Sequence, residues 1–177
     1  DYAKGPLWFQ LYHQTKEGTE SNVRRAEEAG YLALCATVDV PIPSRKERDI
    51  RSQMQAGGGV VGSRGAARPV EWVPPLTWPD IQWLRSLTSM PIVIKGIRTA
   101  EDARLCVENG VEGVYVSNHG GRQVDGTLSA IETLPEVVDA VGDRAEVYFD
   151  SGVRRGVDVI RAIALGARAV LIGRPFL

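Results

Sequence analysis

Residues 91–121, PIVIKGIRTAEDARLCVENGVEGVYVSNHGG, decide the reading of the fold. Ile92-Val93-Ile94-Lys95 is a β-branched apolar run that ends on a charge. Thr99 then offers a hydroxyl cap to a helix over Ala100 to Glu108, and Asn109-Gly110 stops that helix. Gly113-Val114-Tyr115-Val116-Ser117 is a second apolar run. A strand, a helix and a strand in this order make a crossover unit, and near-continuous apolar runs suit parallel strands covered on both faces.

The same pattern extends in both directions. Strands are expected at Trp8-Phe9-Gln10-Leu11-Tyr12, Leu32 to Val38, Glu146 to Asp150 and Ala169 to Gly173. Between them, Glu20 to Ala29 has helical spacing and Gly30 as its stop. Thr77 to Leu87 begins with Pro79 and Asp80 in its first turn, and Leu128 to Val141 and Val157 to Leu165 follow. Six strands alternating with helices predict a parallel α/β fold with right-handed crossovers. Strand starts near 8, 32, 92, 113, 146 and 169 leave one long interval. It holds Pro41 to Pro75, with Gly57-Gly58-Gly59 and many charges, and is expected to be a mobile functional loop.

A (β/α)₈ barrel needs about 250 residues, or roughly 31 per unit. The 177 residues here supply six such units. The expectation is a single α/β domain over 1–177, a partial (β/α)₈ TIM barrel; a complete, open, doubly wound sheet is the alternative.

Composition narrows the function. Lys plus Arg number 21 and Asp plus Glu 22, a net charge of −1 that gives no basic excess for nucleic acid or an anionic membrane. No apolar run approaches the roughly 18 residues of a membrane span. Asp1-Tyr2-Ala3-Lys4-Gly5-Pro6 lacks the apolar core of a signal peptide. Cys35 and Cys106 sit inside apolar-periodic segments and read as buried thiols, so a cytoplasmic enzyme or binding domain is expected.

In parallel α/β folds ligands bind at the carboxyl ends of the strands. The polar residues there are Gln10, Tyr12, Thr37, Asp39, Lys95, Ser117, His119, Asp150, Gly173 and Arg174. Lys95 reads as a fixed cation facing an anion or an electron-rich ring, or as a solvated strand end. In Ser117-Asn118-His119-Gly120-Gly121-Arg122-Gln123, glycines permit a sharp turn, His119 suits a base, and Arg122 suits a two-bond grip on a carboxylate; a plain turn is the bland reading. Asp39 either orients the imidazole or caps the next segment. His13, without flanking glycines, reads as a surface loop residue. Asp150-Ser151-Gly152-Val153-Arg154-Arg155-Gly156 and Gly173-Arg174 follow the last two strands, where barrels often hold phosphate; surface arginines on ordinary turns would look the same. No metal-ligand pattern stands out.

Together, WFQLY at 8–12, Thr37-Val38-Asp39, Ile94-Lys95-Gly96, SNHGGRQ at 117–123, DSGVRRG at 150–156 and Gly173-Arg174-Pro175 closely resemble the FMN-dependent α-hydroxy acid oxidases and dehydrogenases. Glycolate oxidase, lactate oxidase and mandelate dehydrogenase represent that family. The resemblance covers nearly the whole chain and implies that the six strands are the third to eighth of the barrel. It implies FMN as cofactor, a small 2-hydroxy acid as substrate, and oxygen or another carrier as electron acceptor. By the same likeness His119 is the base and Asp39 its partner, while Tyr12 and Arg122 bind substrate. Gln10, Thr37, Lys95, Ser117, Asp150, Ser151, Gly152, Arg154, Gly173 and Arg174 would contact the cofactor. Family members are often tetramers or membrane-associated.

Two departures stand out. Ser44-Arg45-Lys46-Glu47-Arg48-Asp49 places Lys46 where the family carries a second carboxylate-binding arginine, and Arg45 would replace it only after a one-residue shift. The family's first two strands have no counterpart, so the chain is expected to be a fragment that binds FMN weakly and turns over poorly alone. Another FMN- or phosphate-binding barrel enzyme, or a non-catalytic barrel segment, are the alternatives; the pairing of His119 with Arg122 favours hydroxy acid oxidation.

Overall fold

Among the described residues, six parallel strands form one sheet in chain order: β1 (Trp8–Tyr12), β2 (Ala33–Thr37), β3 (Ile92–Ile97), β4 (Gly113–Val116), β5 (Glu146–Phe149) and β6 (Ala169–Val170). The computed structural model describes residues 5–40 and 75–176. Helices α1 (Lys16–Glu28), α2 (Trp78–Leu87), α3 (Ala100–Glu108), α4 (Ala130–Val141) and α5 (Gly156–Ala164) alternate with the strands. Each strand pairs with the next in sequence and the order never reverses. A doubly wound sheet requires a reversal, so this is barrel winding. The sheet also curls: the Trp8 ring on β1 meets the Tyr148 ring on β5 edge-on, centroids 4.9 Å apart.

Strand alternation divides the buried side chains between two layers. Leu34, Ile92, Ile94, Val114, Val116 and Phe149 point outward and pack against Val23, Leu84, Cys106, Leu134 and Val137 of the helices. Cys35, Val93, Tyr115 and Tyr148 point inward as a second cluster. Gly113 keeps that inner layer tight. A Cβ there would lie 2.8 Å from the Tyr148 ring and 2.9 Å from a Val93 methyl.

Local chemistry explains where the elements differ from the sequence expectation. Helix α1 starts at Lys16, ahead of Glu20, because the Thr15 hydroxyl accepts the Gly18 N–H at 3.2 Å. Helix α4 starts at Ala130 rather than Leu128 because Ser129 and Glu132 form a reciprocal capping box. Strand β3 runs on to Ile97 through an irregularity at Gly96, whose φ is 113°. Strand β6 pairs over two residues only. The expected long loop lies, except for Pro75, outside the described residues.

Both cysteines are buried, Cys106 in the outer layer and Cys35 in the inner one. Burial pushes each thiol up to about 12. Since the thiolate is the reactive form, neither should react with an aromatic disulfide reagent at pH 8 in the folded protein. Both should react on unfolding in urea, and rapid native-state labelling of either would contradict this packing.

Candidate active site

The carboxyl ends of β1 to β6 deliver polar side chains to one rim. Gln10, Tyr12, Lys95, His119, Asp150 and Ser151 share a cavity of about 250 Å³ there with Gly120, Gly152, Gly173 and Arg174. Strand alternation puts Gln10, Thr37, Lys95 and Ser117 on the inner face. The Gln10 amide donates to Thr37 Oγ1 at 3.1 Å and to the Tyr12 hydroxyl at 3.3 Å.

The charged centre is a triad of side chains from three strand ends. His119 Nδ1 lies 2.9 Å from Asp39 Oδ1, and Lys95 Nζ lies 3.7 Å from Asp39 Oδ2. Asp39 and Lys95 side chains are each 9% exposed. A buried ammonium is costly unless it is paired and hydrogen-bonded. Lys95 finds Asp39, donates to Ser117 Oγ at 3.2 Å, and sits 5.5 Å above the Tyr115 ring. Asp39 Oδ2 is buried and accepts no hydrogen bond among the described residues; the Lys95 ammonium 3.7 Å away is the charge that compensates it. Burial, then the Asp39 charge, raises the Tyr12 phenol above its usual value, so Tyr12 keeps its proton well into the alkaline range.

The His119 loop is held in an unusual backbone shape. His119 has φ 57°, and Gly120 and Gly121 follow with φ 67° and 69°. The His119 N–H donates to Ser117 Oγ at 3.0 Å, and the Gly121 N–H to Asn118 Oδ1 at 3.0 Å. Arg174 reaches across to donate to the Gly120 carbonyl at 2.7 Å. The φ of 67° at Gly120 favours glycine, and a Cβ there would also press on that guanidinium at 2.5 Å.

The rim therefore brings His119, Asp39, Lys95, Ser117, Thr37, Gln10, Tyr12, Asp150, Ser151, Gly152, Gly173 and Arg174 into one neighbourhood. Arg122 is exposed and does not line the cavity. Arg154 is exposed as well; its N–H bonds Asp158 Oδ2 at 3.0 Å and starts α5. Arg45 and Lys46 lie outside the described residues. His13 stays away from this cavity, its ring 3.5 Å from Thr19 Oγ1 and its basicity lowered by burial.

Two contributors escaped the sequence reading. The Tyr115 hydroxyl donates to Asp150 Oδ2 at 2.9 Å, and nothing distinguishes Tyr115 in sequence from a core aromatic. Gly96 makes room for Asp39: a Cβ would meet Asp39 Cβ at 2.5 Å, Cγ at 2.8 Å and N at 2.9 Å. A glycine inside an apolar strand run was the available signal for such a close approach.

The donor set fits a flavin phosphate. Gly152 and Gly173 have open space where a Cβ would stand, beside the Arg174 guanidinium, which leaves backbone and charge accessible to an anion. Lys95 supplies a buried cation on the same rim.

Comparison with known proteins agrees. A family model described as FMN-dependent dehydrogenase matches residues 1–177. An L-lactate oxidase of Nostoc sp. is 45% identical over 189 residues, covering 96% of this chain and 52% of that protein. The peroxisomal (S)-2-hydroxy-acid oxidase GLO4 of Oryza sativa subsp. japonica is 47% identical over 186 residues, covering 95% and 50%. A crystal structure of mandelate oxidase with (S)-2-phenylpropionate matches with a TM-score of 0.85 at 44% identity, covering 97% of this chain and 50% of that one. The chain thus spans about half the length of the curated relatives it matches.

Replacing Gly96 with alanine should force Asp39 away from both of its partners. The expected cost is about 1–3 kcal/mol from overpacking at a positive φ, read as a lowered urea midpoint. An unchanged midpoint would show that Asp39 does not depend on this gap.

Proposed function

Because this chain belongs to the FMN-dependent dehydrogenase family, we propose that the whole protein oxidises a small L-2-hydroxy acid to the 2-oxo acid. The observation that carries this reading is the 2.9 Å contact between His119 and Asp39 beside the buried Lys95. An Asp39 carboxylate facing Nδ1 favours the tautomer with its proton there, which leaves Nε2 unprotonated as the base. His119 then takes one proton from the substrate, and Asp39 stabilises the imidazolium that forms.

FMN, when bound, supplies the acceptor for the two electrons and the second hydrogen that leave the substrate. Its seat would be Gln10, Thr37, Lys95, Ser117, Asp150, Ser151, Gly152, Gly173 and Arg174, with Arg154 at the outer edge. Lys95 would stabilise negative charge on the reduced ring. Tyr12, which stays protonated, would hydrogen-bond a substrate oxygen without giving up its proton, and Arg122 would grip the carboxylate together with Arg45 or Lys46. Arg122, exposed as it stands, reaches that role by a side-chain swing, which a long arginine permits. Oxygen is the favoured electron acceptor, since the similar proteins include oxidases by name.

Assembly into a homo-oligomer, a tetramer, belongs to the same proposal, and light scattering reads it directly. Two unpaired thiols suit a reducing compartment such as the cytosol. Three of the similar proteins carry peroxisomal names, so imaging the tagged whole protein in its own cell decides between these locations.

Anaerobic mixing of the flavin-loaded whole protein with lactate, glycolate or mandelate should bleach the flavin absorbance. His119→Ala should retain flavin and slow bleaching by about 10²–10⁴-fold. Bleaching at the parent rate in that variant would remove His119 from the chemistry.

A further inference from the structure

We propose that Ser151 is a positioning residue for His119, tying the loop after β5 to the two peptide amides that flank the base. Its Oγ accepts the Asn118 N–H at 3.3 Å and the Gly120 N–H at 3.0 Å, and donates to Asp150 Oδ1 at 2.7 Å. A hydroxyl has one proton and two acceptor lone pairs, and here all three are engaged. The other oxygen of Asp150 is fixed by the Tyr115 hydroxyl. The chain of contacts therefore runs from a rigid aromatic in β4, through Asp150 and Ser151, to the residues on either side of His119.

The base needs such a clamp. A histidine at φ 57° occupies a region that side chains rarely adopt, and such geometry persists only when its surroundings over-determine it. The third amide of the loop, that of His119, already bonds Ser117, whose hydroxyl also serves Lys95. Without Ser151 the amides before and after His119 would lose their only side-chain acceptor among the described residues. The Nδ1 contact with Asp39 would then be free to drift. Ser151 itself has φ 79°, where glycine would be at ease. The strain is retained where a hydroxyl is needed.

That conformation supplies a discriminating variant. Ser151→Gly removes the hydroxyl while relaxing the backbone, so relief of strain offsets part of the lost hydrogen bonding and the variant should still fold; Ser151→Ala removes the hydroxyl and keeps the strain. In the flavin-loaded whole protein, Ser151→Gly should melt higher than Ser151→Ala, and in one cooperative transition. Amide exchange at Gly120 should speed up by about fivefold to tenfold, the worth of one hydrogen bond. The imidazole Nδ1–H signal should broaden, and kcat should fall by about threefold to tenfold with KM nearly constant. Unchanged Gly120 exchange and an unchanged Nδ1–H signal would overturn the proposal. Flavin loss with His119 signals intact would also overturn it, making Ser151 a cofactor ligand alone. Only the kinetic arm rests on the hydroxy acid reading. If the parent bleaches with no 2-hydroxy acid, that reading fails, while exchange and imidazole signals still decide the tether.

Discussion

A single carboxylate, shared between an imidazole and an ammonium, organises this molecule's rim. Asp39 touches His119 through one oxygen and faces Lys95 through the other, and the three come from the ends of β2, β3 and β4. Burying two opposite charges is tolerable only with close geometry and extra hydrogen bonds. The surrounding features serve that requirement: the Gly96 gap admits the carboxylate, Ser117 and the Tyr115 ring cradle the ammonium, and the glycines after His119 let the imidazole turn back. Remove either Asp39 or Lys95 and an uncompensated charge is left buried at the strand ends.

Barrel winding makes the arrangement reachable. Because each strand pairs with its successor, residues far apart in sequence arrive side by side at equal heights; Thr37 registers with Lys95, and Lys95 with Tyr115. Asp39 and His119 lie 80 positions apart and still meet. The inner cluster beneath them, with Tyr148 lodged against Gly113, gives that rim a firm floor.

The alternation of Pro91 to Gly121 announced the fold, since β-branched runs, a threonine cap and a glycine stop each act locally. The rim residues were legible for the same reason: a polar group that ends an apolar run sits at a strand terminus, where a parallel sheet meets its ligands. What stayed hidden depended on contacts between distant elements. Gly96 looks like an ordinary strand glycine until Asp39 is seen against it, and Tyr115 looks like core until its hydroxyl meets Asp150. Arg122 shows the converse. Its spacing from His119 suggested a shared pocket, but two glycines between them let the backbone carry the guanidinium outward. Spacing sets direction in a regular strand and loses that power in a glycine turn.

Arg174 donates to the carbonyl of Gly120 across 54 positions, from a turn that follows the last strand. During synthesis the residues around His119 emerge long before that guanidinium does. Domains gather their contacts as the chain lengthens. The proton-handling corner would therefore stay unfinished until β6 and the turn after it dock, so a nascent intermediate would carry its histidine well before it could use it.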